Sequence, residues 1–284
     1  MTMLIGGIEA GGTKFVCAVG DEKGNILDRI SFPTVDPDGT ILESKAFFEK
    51  YSIEALGVGS FGPIDLVKDS SSFGTILNTP KTEWINYPLL ERLKEEFAVP
   101  VYVDTDVNAA CLGEYKYGVG RNVDSCLYIT VGTGIGAGLV VDGKIYQGRN
   151  HSEMGHLFLR KHPADDFVGC CPSHGGCLEG LASGTAIEKR YGKKGHLLTD
   201  NKRVWEIEAC YLAQAIINYF FVLSPEKIII GGGVMKQENL YEMIRQQFVE
   251  MMGGYLEISD IDSLIIPPSL NDEQGVKGAI ALCL

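Results

Sequence analysis

Residues 4–19, LIGGIEAGGTKFVCAV, set an apolar run, a glycine turn and a second apolar run in succession; residues 126–141, CLYITVGTGIGAGLVV, do so again about 120 residues later. In the first copy the strands read as Leu4 to Ile8, Lys14 to Val19 and, past the turn Asp21-Glu22-Lys23-Gly24, Asn25 to Ile30. In the second, the turn Asp142-Gly143 leads into KIYQG. Two strand meanders in the same order predict two similarly built halves.

Neither glycine string fits the common nucleotide motifs. Gly7 to Lys14 lacks the Gly-Lys-Ser/Thr order and the following helix of a Walker loop. Gly132 to Ala137 is followed by strand-like GLVVDGKIY, whereas the dinucleotide fingerprint needs a helix. What is left is a pair of turns between strands, Gly11-Gly12-Thr13 and Gly132-Thr133-Gly134. Each brings backbone donors and a threonine hydroxyl to a place where they can meet an anion, and each also serves as a plain hairpin.

Each meander is followed by alternating helices and strands. Helices are predicted over Ser44–Tyr51 and Pro88–Phe97, with strands at Ala55–Ser60 and Val99–Asp104. Asp106 or Asn108 then caps a helix to Tyr117. Further on, helices are predicted at Leu178–Tyr191, Lys202–Leu223, from Glu238 and from Gly275, with strands at Lys227–Ile230 and Leu264–Pro267. The expected architecture is α/β: two lobes of mixed sheet covered by helices, with a cleft between them. Residues 1–115 with 270–284 make the first lobe and 116–269 the second.

The chain has 284 residues, 35 of them glycine, and a net charge of −12 from 25 basic and 37 acidic side chains. That balance argues against a nucleic-acid partner, whose phosphates need clustered cations. Glu9 interrupts the N-terminal apolar run, and no basic region precedes it, so a secretory signal is not expected. The uncharged stretches Cys126–Val141 and Ala209–Ser224 are shorter than a membrane span of about 20 residues. Eight cysteines without such a signal point to reduced thiols and a cytoplasmic protein.

Four of the five histidines fall between His151 and His174. With Cys171-x2-His174-x2-Cys177 and His156 they form a set of two thiols and two imidazoles suited to a closed tetrahedral zinc site, with Cys170 and His162 as alternative ligands. Because every position is filled, such a zinc ion is structural, ordering the loop that carries Glu153 and Glu179.

These turns, together with Val103-Asp104-Thr105-Asp106-Val107-Asn108, Glu153-Met154-Gly155-His156, Cys171–Glu179 (CPSHGGCLE) and Ile228–Val234 (IIIGGGV), resemble the ROK family of sugar kinases and repressors. Ser60–Asp65 (SFGPID) and Thr79-Pro80-Lys81 with Trp84 look most like its bacterial fructokinase branch. The resemblance implies the actin-like, two-lobed ATPase fold and ATP-dependent phosphorylation of a hexose. Fructose is the expected acceptor, with glucokinase, mannokinase or N-acetylhexosamine kinase activity as the alternatives.

It also implies roles: Asp106 as catalytic base; Gly11, Gly12, Thr13, Lys14, Gly132, Thr133 and Gly134 on the ATP phosphates; Gly231, Gly232 and Gly233 at the adenosine. Glu9 stands where the family has Asp and would hold Mg²⁺; Gly62, Thr105, Asp106, Glu153 and Glu179 would contact the sugar. A homo-oligomer, most simply a dimer, is expected. A ROK repressor would carry an N-terminal helix-turn-helix, and here the first turn lies within about ten residues of Met1. An actin-like filament protein would have no evident use for the metal and sugar segment.

Overall fold

The computed structural model describes residues 3–237 and 239–284. Its first meander is β1 (Ile5–Ala10), β2 (Lys14–Gly20) and β3 (Ile26–Pro33). The next helix, α1 (Pro37–Phe48), begins at Pro37 and not at Ser44, because Asp36 accepts from the Gly39 N–H at 2.8 Å and Pro37 fits the first turn. There follow β4 (Ala55–Ser60), α2 (Leu89–Glu96), β5 (Val101–Thr105) and α3 (Asp106–Tyr117). The first sheet runs β3-β2-β1-β4-β5: β1, β2 and β3 pair antiparallel, while β4 lies parallel to both β1 and β5.

The second meander is β6 (Ser125–Val131), β7 (Ile135–Val141) and β8, which is only Lys144–Ile145 and not the five residues expected. The helix expected over Leu178–Tyr191 is two, α4 (Leu178–Ala182) and α5 (Gly184–Tyr191). Ser183 is extended between them and caps the second by accepting from the Ala186 N–H at 3.1 Å. Next come α6 (Lys202–Leu223), β9 (Lys227–Gly231), α7 (Leu240–Met252), α8 (Ile261–Leu264), β10 (Ile265–Ile266) and α9 (Gln274–Ala281). Glu238, where α7 was expected to start, lies outside the described residues. The second sheet runs β10-β9-β6-β7-β8.

The chain packs as two compact units: residues 1–122, 138–152 and 268–284 make one, residues 123–137 and 153–267 the other. Compared with the division expected at 115/116, the first unit extends to 122 and also takes in 138–152.

In the first unit, Trp84 is completely buried between Phe15 and Phe61, with ring centroids 5.6 and 5.5 Å away, and its indole N–H donates to the Val35 carbonyl at 2.9 Å. It pins the long excursion between β4 and α2 onto the sheet, and truncation to Ala would cost about 3–5 kcal/mol. In the second unit, Ile228, Ile229 and Ile230 of β9 are fully buried, as are Tyr211, Ala213 and Phe248 from α6 and α7. Among the described residues α6 alone is long and apolar enough to cross a membrane, and most of its apolar window is buried in the protein.

Candidate active site and metal centre

In the first unit, strand register decides which loops meet. Ala10 of β1 is paired with Ser60 of β4, and Ser60 with Thr105 of β5. The three strands are parallel to one another along β1-β4-β5, so the Gly11–Thr13 turn, the Gly62 loop and Asp106 all leave the same end of the sheet. In open α/β sheets that end is where ligands collect.

Thr105 is the N-cap of α3: it is buried, and its hydroxyl accepts from the Asn108 N–H at 3.1 Å. Asp106 is therefore the first helical residue and neither Asp106 nor Asn108 is the cap, which corrects the expected capping role. Asp106 is half-buried, and its Oδ1 accepts from the Val107 N–H at 2.9 Å. A carboxylate in the first turn is favoured by the helix dipole.

Asp104, which the strand pattern alone does not single out, is the hub beneath it. Its Oδ1 accepts from the Thr105 N–H and the Asn108 amide, both at 2.7 Å, and its Oδ2 accepts from the Gln147 amide at 3.1 Å. Burial raises this carboxyl above its ordinary range, opposed by those hydrogen bonds and by the nearby His151.

The first turn is closed by the Gly11 N–H donating to the Lys14 carbonyl at 3.0 Å. Thr34, at the end of β3, braces it: its hydroxyl donates to the Gly11 carbonyl at 2.6 Å and its N–H to the Thr13 carbonyl at 3.0 Å. Thr13 and Lys14 are exposed at the tip. Glu9 lies just behind them with its carboxyl raised by burial, against the lowering influence of Lys14 and Arg29. Its extra methylene over Asp packs where Gly275 has no side chain; a Cβ there would lie 2.5 Å from the Glu9 Cδ. Gly62 is half-buried and forms a cis peptide with Pro63.

The second unit repeats the register logic. Thr130 of β6 pairs with Gly231 of parallel β9, so the Gly132–Gly134 turn and Gly232-Gly233 leave adjacent strand ends. Gly232 has φ +98°, a conformation that favours glycine. Two residues not anticipated from sequence join them at the start of α5: the Gly184 N–H donates to the Gly132 carbonyl at 2.7 Å, and the Thr185 hydroxyl to the Thr133 carbonyl at 2.8 Å. The string SGT at 183–185 carries the signal, a helix cap followed by a second hydroxyl. Thr133 itself is exposed.

His156, Cys171, His174 and Cys177 bring four ligand atoms within 4.8 Å of one another. The His156 Nδ1 lies 3.4 Å from the Cys177 Sγ and 3.8 Å from the Cys171 Sγ, and the His174 Nδ1 is 3.7 Å from the Cys171 Sγ. A tetrahedron with Zn–S of about 2.3 Å and Zn–N of about 2.0 Å has S···N edges of about 3.5 Å, close to these three distances, so the donor set is compatible with one zinc ion.

Paired hydrogen bonds between Cys171 and Gly175 at 2.9 and 3.1 Å make the knuckle that presents Cys171 and His174 together. Burial, and then the adjoining Cys171 thiol, pushes Cys177 up to about 11, a cost that a bound dication removes by holding both as thiolates. Cys170 and His162 stand outside the group. The Cys170 thiol hydrogen-bonds Ser183, and the His162 Nδ1 accepts from the Ala164 N–H at 3.1 Å.

Glu153 is exposed, at the start of the short turn that carries His156. Glu179 is half-buried in the first turn of α4, two residues after Cys177, and its Oε2 accepts from the Ile135 N–H at 3.0 Å. A buried network holds the rest of this loop: Asp165 accepts from the Tyr211 hydroxyl at 2.7 Å and pairs with Arg190 at 3.1 Å.

Two glycine turns at strand ends and two five-stranded mixed sheets covered by helices define the actin-like ATPase fold. The chain belongs to the ROK family, whose sequence model matches residues 5–284. It is 52% identical over 283 residues to a protein of Bacillus subtilis (strain 168), covering 98% of this chain and 95% of that one. It is 44% identical over 280 residues to the fructokinase of Pediococcus pentosaceus, covering 99% and 97%. Among solved structures, a ROK glucokinase of Streptomyces griseus in complex with glucose and AMPPNP matches 99% of each chain with a TM-score of 0.78 and 25% identity.

Proposed function

We propose that this protein is an ATP-dependent fructokinase, converting D-fructose to D-fructose 6-phosphate. The observation that carries the reading is the register of β1, β4 and β5, which puts a glycine turn, Gly62 and the Asp106 carboxylate at one sheet end in a chain related to fructokinases along its whole length.

Asp106 accepts the proton of the primary sugar hydroxyl as that oxygen attacks the γ-phosphorus. The bond to the bridging oxygen breaks, and ADP leaves. Thr13, Lys14 and the Gly11-Gly12 backbone donate to the phosphates from one turn, and Thr133 with Gly132 and Gly134 from the other; Gly231–Gly233 bound the adenosine. Glu9 would hold Mg²⁺, directly or through its waters, to offset phosphate charge. Gly62, Glu153 and Glu179 orient the sugar; Thr105 acts on it through the cap that sets Asp106. His156, Cys171, His174 and Cys177 would hold one structural Zn²⁺, which supplies a cross-link to their loop and takes no part in the phosphoryl transfer.

A homodimer is proposed from the exposed apolar cluster of Phe221, Val222 and Tyr255, in which the Phe221 and Tyr255 rings meet edge to face at 6.1 Å. Sedimentation gives the mass directly. A panel of hexoses with coupled detection of ADP tests the acceptor: fructose is expected to give the highest kcat/KM, and preference for glucose, mannose or an N-acetylhexosamine would replace the assignment. Asp106→Asn is expected to lower kcat by about 10²- to 10⁴-fold with folding retained; near-normal turnover would remove it from the mechanism.

A further inference from the structure

We infer that Glu179 is a positioning residue for the second phosphate turn, so that the metal-ligand segment sets the nucleotide side of the site as well as the sugar side. The inference rests on the fructokinase reading and goes beyond it. A sugar-binding carboxylate needs only to face a hydroxyl. Glu179 instead commits Oε2 to the N–H of Ile135, the residue that closes the Gly132-Thr133-Gly134 turn into β7. A carboxylate accepting from a backbone N–H makes a charge-assisted bond, stronger than a neutral one.

The carbonyl of the same residue is approached by the same segment. Gly155, between Glu153 and His156, packs so closely that a Cβ there would lie 1.8 Å from the Ile135 carbonyl oxygen. A Cβ on Gly134 would lie 2.6 Å from the Glu179 Oε2, so the turn reaches the carboxylate only because it is glycine. Gly155 adjoins ligand His156, and Glu179 follows ligand Cys177 by two residues. Closing those two ligands on one ion fixes the spacing of the two groups that grip Ile135, and with it the plane from which Thr133 projects.

The carboxylate is planar and rigid. If Oε1 takes a sugar hydroxyl while Oε2 keeps Ile135, turning the group for one ligand turns it for the other. Fructose and nucleotide then raise each other's affinity by the same factor.

Binding of Mg²⁺-AMPPNP to the metal-loaded protein, without and with fructose, tests this, together with hydrogen exchange of residues 132–136. Glu179→Ala is expected to weaken AMPPNP by about tenfold without sugar, to abolish the mutual enhancement and to speed exchange in 132–136. Glu179→Gln keeps an amide oxygen for the Ile135 N–H and is expected to retain nucleotide affinity within about twofold, while binding fructose less well. Gly134→Ala, which drives a methyl group into Oε2, is expected to weaken AMPPNP with Glu179 in place. Unchanged nucleotide affinity and exchange in Glu179→Ala, or equal impairment by Gln and Ala, would overturn the inference while the fructokinase reading stands. Failure of the unaltered protein to bind AMPPNP would overturn both.

Discussion

The two glycine turns have similar sequences and opposite supports. The turn at Gly11–Lys14 is braced by its own meander: both hydrogen bonds from outside it come from Thr34, at the end of the next strand but one. The turn at Gly132–Ile135 is braced from about 50 residues downstream, by Gly184, Thr185 and Glu179, the last of them two residues after Cys177 of the candidate metal group. A turn held by local pairing forms with its sheet. A turn held by a distant loop is only as well defined as that loop, and the difference makes the second turn the adjustable one.

Stripping metal from His156, Cys171, His174 and Cys177 should separate the two most sharply. The free energy of metal binding adds to folding, so Tm is expected to fall by well over the ~2–4 °C that 1 kcal/mol is worth in domains of 150–250 residues. Hydrogen exchange is expected to rise in 132–136 and to stay constant in 11–14; equal loosening of both would erase the distinction.

Buried carboxylates differ between the units in the same sense. Glu114 is fully buried and accepts from the Val119, Ser269 and Leu270 N–H groups and the Ser269 hydroxyl at 2.9–3.2 Å. Glu208 is equally buried, and among the described residues neither of its oxygens has a hydrogen-bond partner. Burial, only partly opposed by Arg190, raises its carboxyl well above 4.5.

The folded chain therefore keeps this proton after the unfolded chain has lost it. Stability falls as pH rises from about 4.5 toward the raised folded value. Glu208→Met is expected to stabilise the protein at pH 7 by about 1–3 kcal/mol, with a gain that shrinks toward pH 4.5. Glu114→Met is expected to destabilise by a similar amount. Urea midpoints across that pH range check both, and a flat difference for Glu208 would refute its account.

Smaller effects bear on the turns themselves. Thr34→Val leaves the Gly11 carbonyl without its donor and is expected to cost about 1 kcal/mol and to raise the KM for ATP, with Thr34→Ser restoring both. Thr185→Ala is expected to cost about 0.5 kcal/mol, because its hydroxyl sits nearer solvent. A larger loss at Thr185 than at Thr34 would invert the ranking of local over distant support.

Sequence periodicity carried much of this fold. β4 was legible to the residue and α6 to the turn, since an unbroken apolar run and a long helical repeat admit few alternatives. Failures came where a single side chain outweighs periodicity. Asp36-Pro37 starts α1 earlier, Ser183 splits a helix in two, and Thr105 takes the cap from Asp106. For the metal set, spacing named four candidate ligands, with Cys170 and His162 left as alternatives, and the fold gathers those four around one point. Asp104, Gly184 and Thr185 were not legible because their importance lies in what they touch across the fold.

The discontinuous first unit has a consequence for folding during synthesis. Its residues come in three pieces, and the last, 268–284, supplies Ser269 and Leu270, which join Val119 in donating to Glu114, and the helix α9. Before residue 268 is made, Glu114 lacks its Ser269 and Leu270 donors, and the first unit waits half-built with every residue of the other already present. A nonsense codon at position 268 would thus remove no proposed catalytic group and still yield a polypeptide fit chiefly for chaperones and proteases.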